Sequence, residues 1–250
     1  MAYKKVITYG NIIEVQEYER DLPKYTDEQK EFAVYARKQN LVANRKNETR
    51  RQKFNRTKRQ DNARRTANAF IRKVIANFGQ SDFSILVTLT YSKNEISPKK
   101  GYSDFKSFAR SVVRNYGKQV RYIAVPEFQK SGRLHFHALF WGLPSLLVKR
   151  ERKTREFAFY WKRGFVDLKL TDSSDRVAYY LSKYMKKGFL DFRLFGHRSY
   201  LSSRNLVKPV IDTSPILFQY LFSSVELLTS YEFLTSYLGR CVISKYRKLN

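Results

Sequence analysis

The sequence predicts an α+β fold: a central antiparallel sheet of about five strands flanked by helices, preceded by a basic helical arm. Three observations predict it. Short β-branched and aromatic stretches, alternating or continuously apolar, fall at residues 84–91, 121–129, 133–141 and 165–170. Between the first two, Phe105, Phe108, Val112 and Tyr116 recur at the three-and-four spacing of an amphipathic helix. Upstream, residues 26–78 contain no proline or glycine, and residues 37–73 set 14 Lys and Arg against only Glu48 and Asp61.

The elements follow in order. Val6, Ile7, Ile12, Ile13 and Val15 suggest a short strand or extended arm. Pro23 breaks it, and Thr26-Asp27-Glu28 starts a helix. The basic run offers Arg50, Arg51, Lys53, Arg56, Lys58, Arg59, Arg64 and Arg65 as contacts to DNA phosphates. The alternative is a solvated charged face; so one-sided a charge favours DNA. Phe70, Val74, Ile75 and Phe78 dock the helix on the core, and Gly79 closes it. Residues 84–91 (SILVTLTY) form a buried strand in which Thr88 and Thr90 share a face; β-propensity explains that pair as well as a role near a site does. Residues 97–101 read as loop and 103–116 as helix. Residues 121–129 and 133–141 pair through the turn Lys130-Ser131-Gly132. Residues 145–162 are helical. Residues 165–170 are a strand with Val166, Leu168 and Leu170 inward. Asp172, Ser173 and Ser174 cap a helix that Gly188 ends. Beyond it, residues 192–209 read as a strand and a loop crossing back over the site, with His197 a surface histidine or a phosphate contact. Residues 211–238 read as packed helices. The domain division is then an arm (1–78), a core domain (79–210) and a C-terminal helical region (211–250).

Composition narrows the function. In 250 residues, 49 Lys and Arg against 22 Asp and Glu give a formal charge of +27, a field that attracts polyanions. Nucleic acid fits better than membrane, because aromatics, 16 % of the chain, are interleaved with the basic residues. Cys241 is the sole cysteine, which excludes a disulfide framework and a cysteine-based zinc site. No leader and no membrane span is expected, and a cytoplasmic location follows.

The chemistry gathers on residues 133–142, RLHFHALFWG. As a strand, it points Leu134, Phe136, Ala138 and Phe140 one way and Arg133, His135 and His137 the other. The spacing serves equally a pair of satisfied sheet histidines and a pair of metal ligands. A hairpin register that puts either histidine on that face also allows Glu127 and Gln129 there, and Glu127 is the natural third ligand. Two imidazoles and a carboxylate suit Mn2+, or Mg2+ with waters retained, better than a calcium cage. Downstream, Tyr180 and Tyr184 sit four apart, so a helix presents both phenols on one face. Lys183 and Lys187 lie beside them.

Together, the His-hydrophobic-His strand, the glutamate eight residues before it and Tyr-x-x-x-Tyr followed by lysine resemble the HUH endonucleases. The likeness is to rolling-circle replication initiators of single-stranded DNA phages (microviruses) and related small plasmids. Residues 87–91, VTLTY, resemble the family's first motif, and the likeness spans roughly residues 65–210. It implies an HUH/RRM-like fold whose central strands carry the metal. It implies a nickase-ligase in which Tyr184 or Tyr180 attacks single-stranded DNA at a replication origin, leaving a 5′-phosphotyrosine and a free 3′-hydroxyl. Lys183 or Lys187 would lower the phenol's pKa and hold the phosphate, and Arg133 would contact DNA. No Gly-x-x-x-x-Gly-Lys-Ser/Thr loop occurs, so helicase and polymerase would come from a bacterial host. A single-tyrosine relaxase or transposase, or a non-catalytic nucleic-acid-binding module, is the competing expectation.

Overall fold

The computed structural model describes residues 3–20, 48–78, 84–143, 150–171, 174–213, 224–235 and 238–249. It is α+β, with two antiparallel five-stranded sheets rather than one, and it divides into two units: residues 63–209, and residues 1–62 with 210–250.

The larger unit contains the predicted sheet. Its strands are β3 (Ser84–Tyr91), β4 (Arg121–Phe128), β5 (Leu134–Trp141), β6 (Gly164–Thr171) and the two-residue β7 (Leu201–Ser202), in the order β6-β3-β5-β4-β7. Strand β5 is central because it is apolar on one face and buried on both; every residue from Leu134 to Phe140 is buried. The β4–β5 turn is tight: Gly132 takes φ 81° and its N–H donates to the Gln129 carbonyl at 3.0 Å. A side chain there would strain that backbone.

Leu134, Phe136, Ala138 and Phe140 face helix α2 (Pro98–Tyr116) and helix α3 (Arg150–Trp161), forming one cluster with Tyr102, Phe105, Phe108, Phe157 and Trp161. Helix α2 starts five residues before the expected Ser103. Ser97 is its N-cap, accepting from the Lys100 N–H, and Pro98 sits at the first position, where its missing N–H costs nothing. The expected loop at 97–101 is a cap signal. Strand β6 is an edge strand, and of its three predicted inward residues only Leu168 is fully buried; Leu170 is 49 % exposed.

Helix α1 (Glu48–Phe78) carries a buried stripe of Ala63, Ala67, Phe70, Ile71, Val74, Ile75 and Phe78 within the larger unit. Its Asn77 exchanges hydrogen bonds with the Val207 backbone, accepting from the N–H at 2.7 Å and donating to the carbonyl at 2.8 Å. Arg64 and Arg65 are exposed, whereas Arg50, Arg51, Lys53, Arg56, Lys58 and Arg59 lie outside the residues whose side chains are described. The helix start expected at residues 26–28, the stop at Gly79 and the caps at Asp172 and Ser173 likewise lie outside the described residues. Helix α4 (Ser174–Leu190) carries the tyrosines and runs two residues past Gly188.

The second unit corrects the reading of both termini. Strands β1 (Tyr3–Tyr9) and β2 (Ile12–Tyr18) form a hairpin across Gly10, at φ 60°, and Asn11. Strands β8 (Val210–Asp212), β9 (Val225–Thr235) and β10 (Gly239–Lys248) complete the order β8-β1-β2-β10-β9. The 211–250 region, expected helical, is thus strand wherever it is regular among the described residues. The Leu, Phe and Tyr of residues 227–234 look like a helix's apolar stock, but they lie along a paired strand. Among the described residues no helix is long and apolar enough to cross a membrane.

Candidate active site

The two faces of β5 part here. His135 and His137 are 5 % and 7 % exposed and point away from Phe136. The register sets Thr90 of β3 and Glu127 of β4 opposite His135. The Thr90 hydroxyl lies 3.1 Å from His135 Nδ1, which fixes the ring. Glu127 reaches diagonally, placing Oε2 3.0 Å from His137 Nε2, and its Oε1 accepts from Lys187 Nζ at 2.9 Å.

Helix α4 covers this face, not the one occupied by α2 and α3, so helices flank both sides of the sheet rather than one. The Tyr184 ring stacks on His137, with centroids 3.9 Å apart at 19°. Tyr180, a turn earlier, crosses Tyr184 edge-on at 4.9 Å and His137 at 6.4 Å. The Tyr184 hydroxyl donates to the Tyr180 hydroxyl at 2.7 Å. Beside them opens a cleft of about 670 Å³ whose lining includes Glu127, His137, Tyr184, Lys187, Gln129 and Asp191.

Electrostatics separate the groups. Burial foremost, then the His137 charge, lowers the His135 pKa to about 4, so its imidazole is neutral near pH 7. Burial pushes Glu127 up, but hydrogen bonds from His137 and Lys187 outweigh it and hold the carboxyl below its ordinary value. The Tyr184 phenol is pushed well up, by burial first and then by Tyr180 and Glu127. That direction is opposite to the one expected from a neighbouring lysine. The cause is specific: Lys187 is committed to Glu127, with its ammonium 5.1 Å from the Tyr184 ring centroid, and Lys183 is exposed.

Two buried ring nitrogens, His135 Nε2 and His137 Nδ1, have no hydrogen-bond partner. Buried imidazole nitrogens are ordinarily satisfied, and neutral ones are the commonest protein ligands for transition metals. The donor types fit a divalent cation. The side chains as they stand do not converge: no group of three His, Cys, Asp or Glu among the described residues is arranged to hold an ion. Glu127 is turned to His137 and Lys187 instead.

Of the other predicted residues, Arg133 lies at the mouth of the hairpin, its Nε donating to Asn94 Oδ1 at 3.3 Å. His197 packs against Tyr102, centroids 5.6 Å apart, on the α2 face, so residues 192–209 do not cross the histidine face as expected. They run along the sheet edge, where Ser202 pairs with Ile123. Thr90 is the residue that the sequence left undecided; only the β3–β5 pairing distinguishes it from any strand threonine.

Residues 84–189 match the model of a family described as replication-associated protein, ORF2 type. The matched segment runs from β3 to the end of α4 and contains every residue of this site. No curated protein and no solved structure matches the chain. The chain is therefore similar over this segment to replication-associated proteins, which is consistent with a replication initiator acting on DNA.

Proposed function

We propose that the protein nicks and rejoins single-stranded DNA at a replication origin, with Tyr184 as the principal nucleophile and Tyr180 as its partner. The observation that carries the reading is the Tyr184 ring lying flat on His137 while its hydroxyl meets that of Tyr180. A half-buried phenol above two sheet histidines and a carboxylate has no packing explanation as economical. His135, His137 and Glu127 would hold a divalent cation, Mn2+ or Mg2+, which when bound supplies charge neutralisation at the scissile phosphate.

The remaining chemistry belongs to the chain. The Tyr184 oxygen attacks phosphorus and the bond to the 3′-oxygen breaks. The phenol proton leaves along the existing hydrogen bond toward Tyr180, whose ring is partly open to water. The leaving 3′-oxygen takes up a proton, giving a 5′-phosphotyrosine and a 3′-hydroxyl that primes synthesis. A phenol whose pKa is raised is a poor nucleophile until a cation offsets it. Lys187 is the nearest candidate, because a strand phosphate entering the cleft competes with Glu127 for its ammonium. Rejoining reverses the step, and a second tyrosine lets one site cut the regenerated origin while the first remains esterified. Helicase and polymerase would be the host's.

Tyr180 lies farther from His137 than Tyr184 does, which favours one second reading: a single-tyrosine enzyme in which Tyr180 only positions Tyr184. Incubating the protein with a panel of single-stranded oligonucleotides and Mn2+, then resolving covalent adducts on a denaturing gel, tests the function. Adduct mapped to Tyr184, with a minor share on Tyr180, is expected. No adduct on any oligonucleotide, with DNA binding intact, overturns catalysis and leaves a binding module.

A further inference from the structure

A second groove lies on the other face of the same sheet. It has a volume of about 1170 Å³ and runs between helix α2 and the start of β4. Its floor is apolar, made by Ala109, Val113, Val120 and Tyr122. Its rim is basic. Arg110, Arg114 and Lys118 follow one another at four-residue steps, and Arg204 stands across from them. No acidic residue lines it, and among the described residues no ion pair engages any of these four cations; Arg110 reaches only the Ser107 hydroxyl, at 3.0 Å.

The groove is built rather than incidental. Asn205 Nδ2 donates to the carbonyls of Lys118 and Val120, at 3.0 and 3.2 Å. The Ser203 N–H donates to the Tyr122 carbonyl at 3.0 Å, and the Tyr122 N–H donates to the Ser203 hydroxyl at 3.1 Å. These bonds hold the Arg204 segment at a fixed distance from α2. Tyr122 packs on Phe105 and Phe140, 5.7 and 5.5 Å between centroids, which puts the groove on the face away from His137 and Tyr184.

We infer that this groove holds a second segment of single-stranded DNA, bases against the apolar floor and phosphates on the Arg110, Arg114, Lys118 and Arg204 rim. The pairing of an apolar floor with an unneutralised basic rim decides the occupant. A duplex presents only phosphates and would leave the floor uncovered, whereas an unpaired strand presents base faces and phosphates together. The inference rests on the DNA-handling reading and extends it. A strand whose scissile phosphate sits at Tyr184 continues around the sheet edge at β7, so the groove contacts only strands longer than the cleft accommodates.

The test is binding, by fluorescence anisotropy across salt, of an oligothymidine length series to the full chain. The groove variant is Arg110→Gln/Arg114→Gln/Lys118→Gln/Arg204→Gln. The control removes equal charge from Lys99, Lys106, Lys162 and Lys169, all outside the groove. On long strands the groove variant should lose up to about 3 from the slope of log affinity against log salt, at about 0.7 per phosphate contact. The control should lose markedly less, and the two should converge on short strands. Crosslinking of 5-bromodeoxyuridine strands should label peptides covering residues 107–122 or 203–205. Equal losses in the two variants at every length overturn the inference. An equal or larger loss on duplex of the same length overturns the single-strand assignment, and competition by an acidic peptide but not by DNA reassigns the groove to a protein. Adduct formation on a short oligonucleotide reads the tyrosine chemistry separately: its absence in the unsubstituted protein defeats the proposed function while the binding comparison still stands or falls alone.

Discussion

Strand β5 buries two faces to nearly the same degree, and they do different things. On one, Leu134, Phe136, Ala138 and Phe140 meet the aromatics of α2 and α3 and nothing polar is left over. On the other, His135 and His137 are as well covered, yet each keeps one ring nitrogen without a partner, and a phenol lies over one of them. Burial alone does not separate core from site. The separating quantity is unsatisfied polar capacity, which a structural face eliminates because it costs stability and a functional face retains for a ligand.

The comparison can be broken from either face. The largest effect falls on the tyrosines. Tyr180→Phe/Tyr184→Phe should abolish covalent adduct altogether, while Tyr184→Phe alone cuts it roughly 100-fold and Tyr180→Phe much less, since only the better-placed phenol lies in line. Melting temperatures should hardly move. Equal adduct from both single variants would erase the distinction drawn between the two phenols.

On the opposite face the outcome should invert. Phe136→Ala removes a fully buried ring and should cost about 3–5 kcal/mol in urea unfolding. His135→Ala/His137→Ala should lose cleavage yet cost far less stability than that, and keep salt-dependent DNA binding. If the histidine variant unfolds as readily as Phe136→Ala, both faces are simply core.

Thr90→Val sharpens the point at smaller amplitude. It preserves shape and removes only the contact to His135 Nδ1, so it should weaken metal-dependent cleavage by about 10–100-fold, as loss of a ligand's supporting partner does. Thr88→Val, on the same strand face but with no such contact to a histidine ring, serves as the reference.

The smallest effect concerns a polar cluster buried on the structural side. Asp104 accepts from Tyr91, Lys100 and Arg163, each at 2.8 Å, tying β3, α2 and the entry to β6. Burial pushes its carboxyl up, but those three donors prevail and hold it below the ordinary carboxylate value. A depressed folded-state pKa adds stability above the unfolded value that is lost as pH falls through the folded one. Thermal melts of the parent and of Asp104→Asn should therefore differ at neutral pH and converge only as pH falls below about 4. A gap that persists at still lower pH would mean that packing, not charge, is what Asp104 supplies.

The basic arm needs a different kind of test. Residues 1–64 include β1 and β2, which form the middle of the second sheet, so deleting them removes far more than charge. Substituting Arg64 and Arg65, exposed on α1, isolates the electrostatic question.

By itself the sequence determined what is local. Alternation over residues 133–141 assigns each side chain of β5 to a face whatever its neighbours are, and four-residue spacing puts Tyr180 and Tyr184 side by side on any helix. The hairpin made Glu127 available to the histidines because its turn is short. The β1–β2 hairpin also carries a local mark, the Gly10-Asn11 pair between apolar stretches, although those stretches alone suggest no more than one short strand or arm. What tertiary structure decided is everything that depends on pairing across long separations. Thr90 meets His135 from 45 residues away, and Lys187 meets Glu127 from 60. The latter contact takes the lysine away from the phenol, so a charge near Tyr184 in sequence does not lower its pKa. The second sheet joins the two ends of the chain, β2 to β10, and no local pattern reports a partner so far along the sequence. Strand pairing is satisfied by backbone groups that every residue carries, so it leaves no mark in the side chains that a sequence displays.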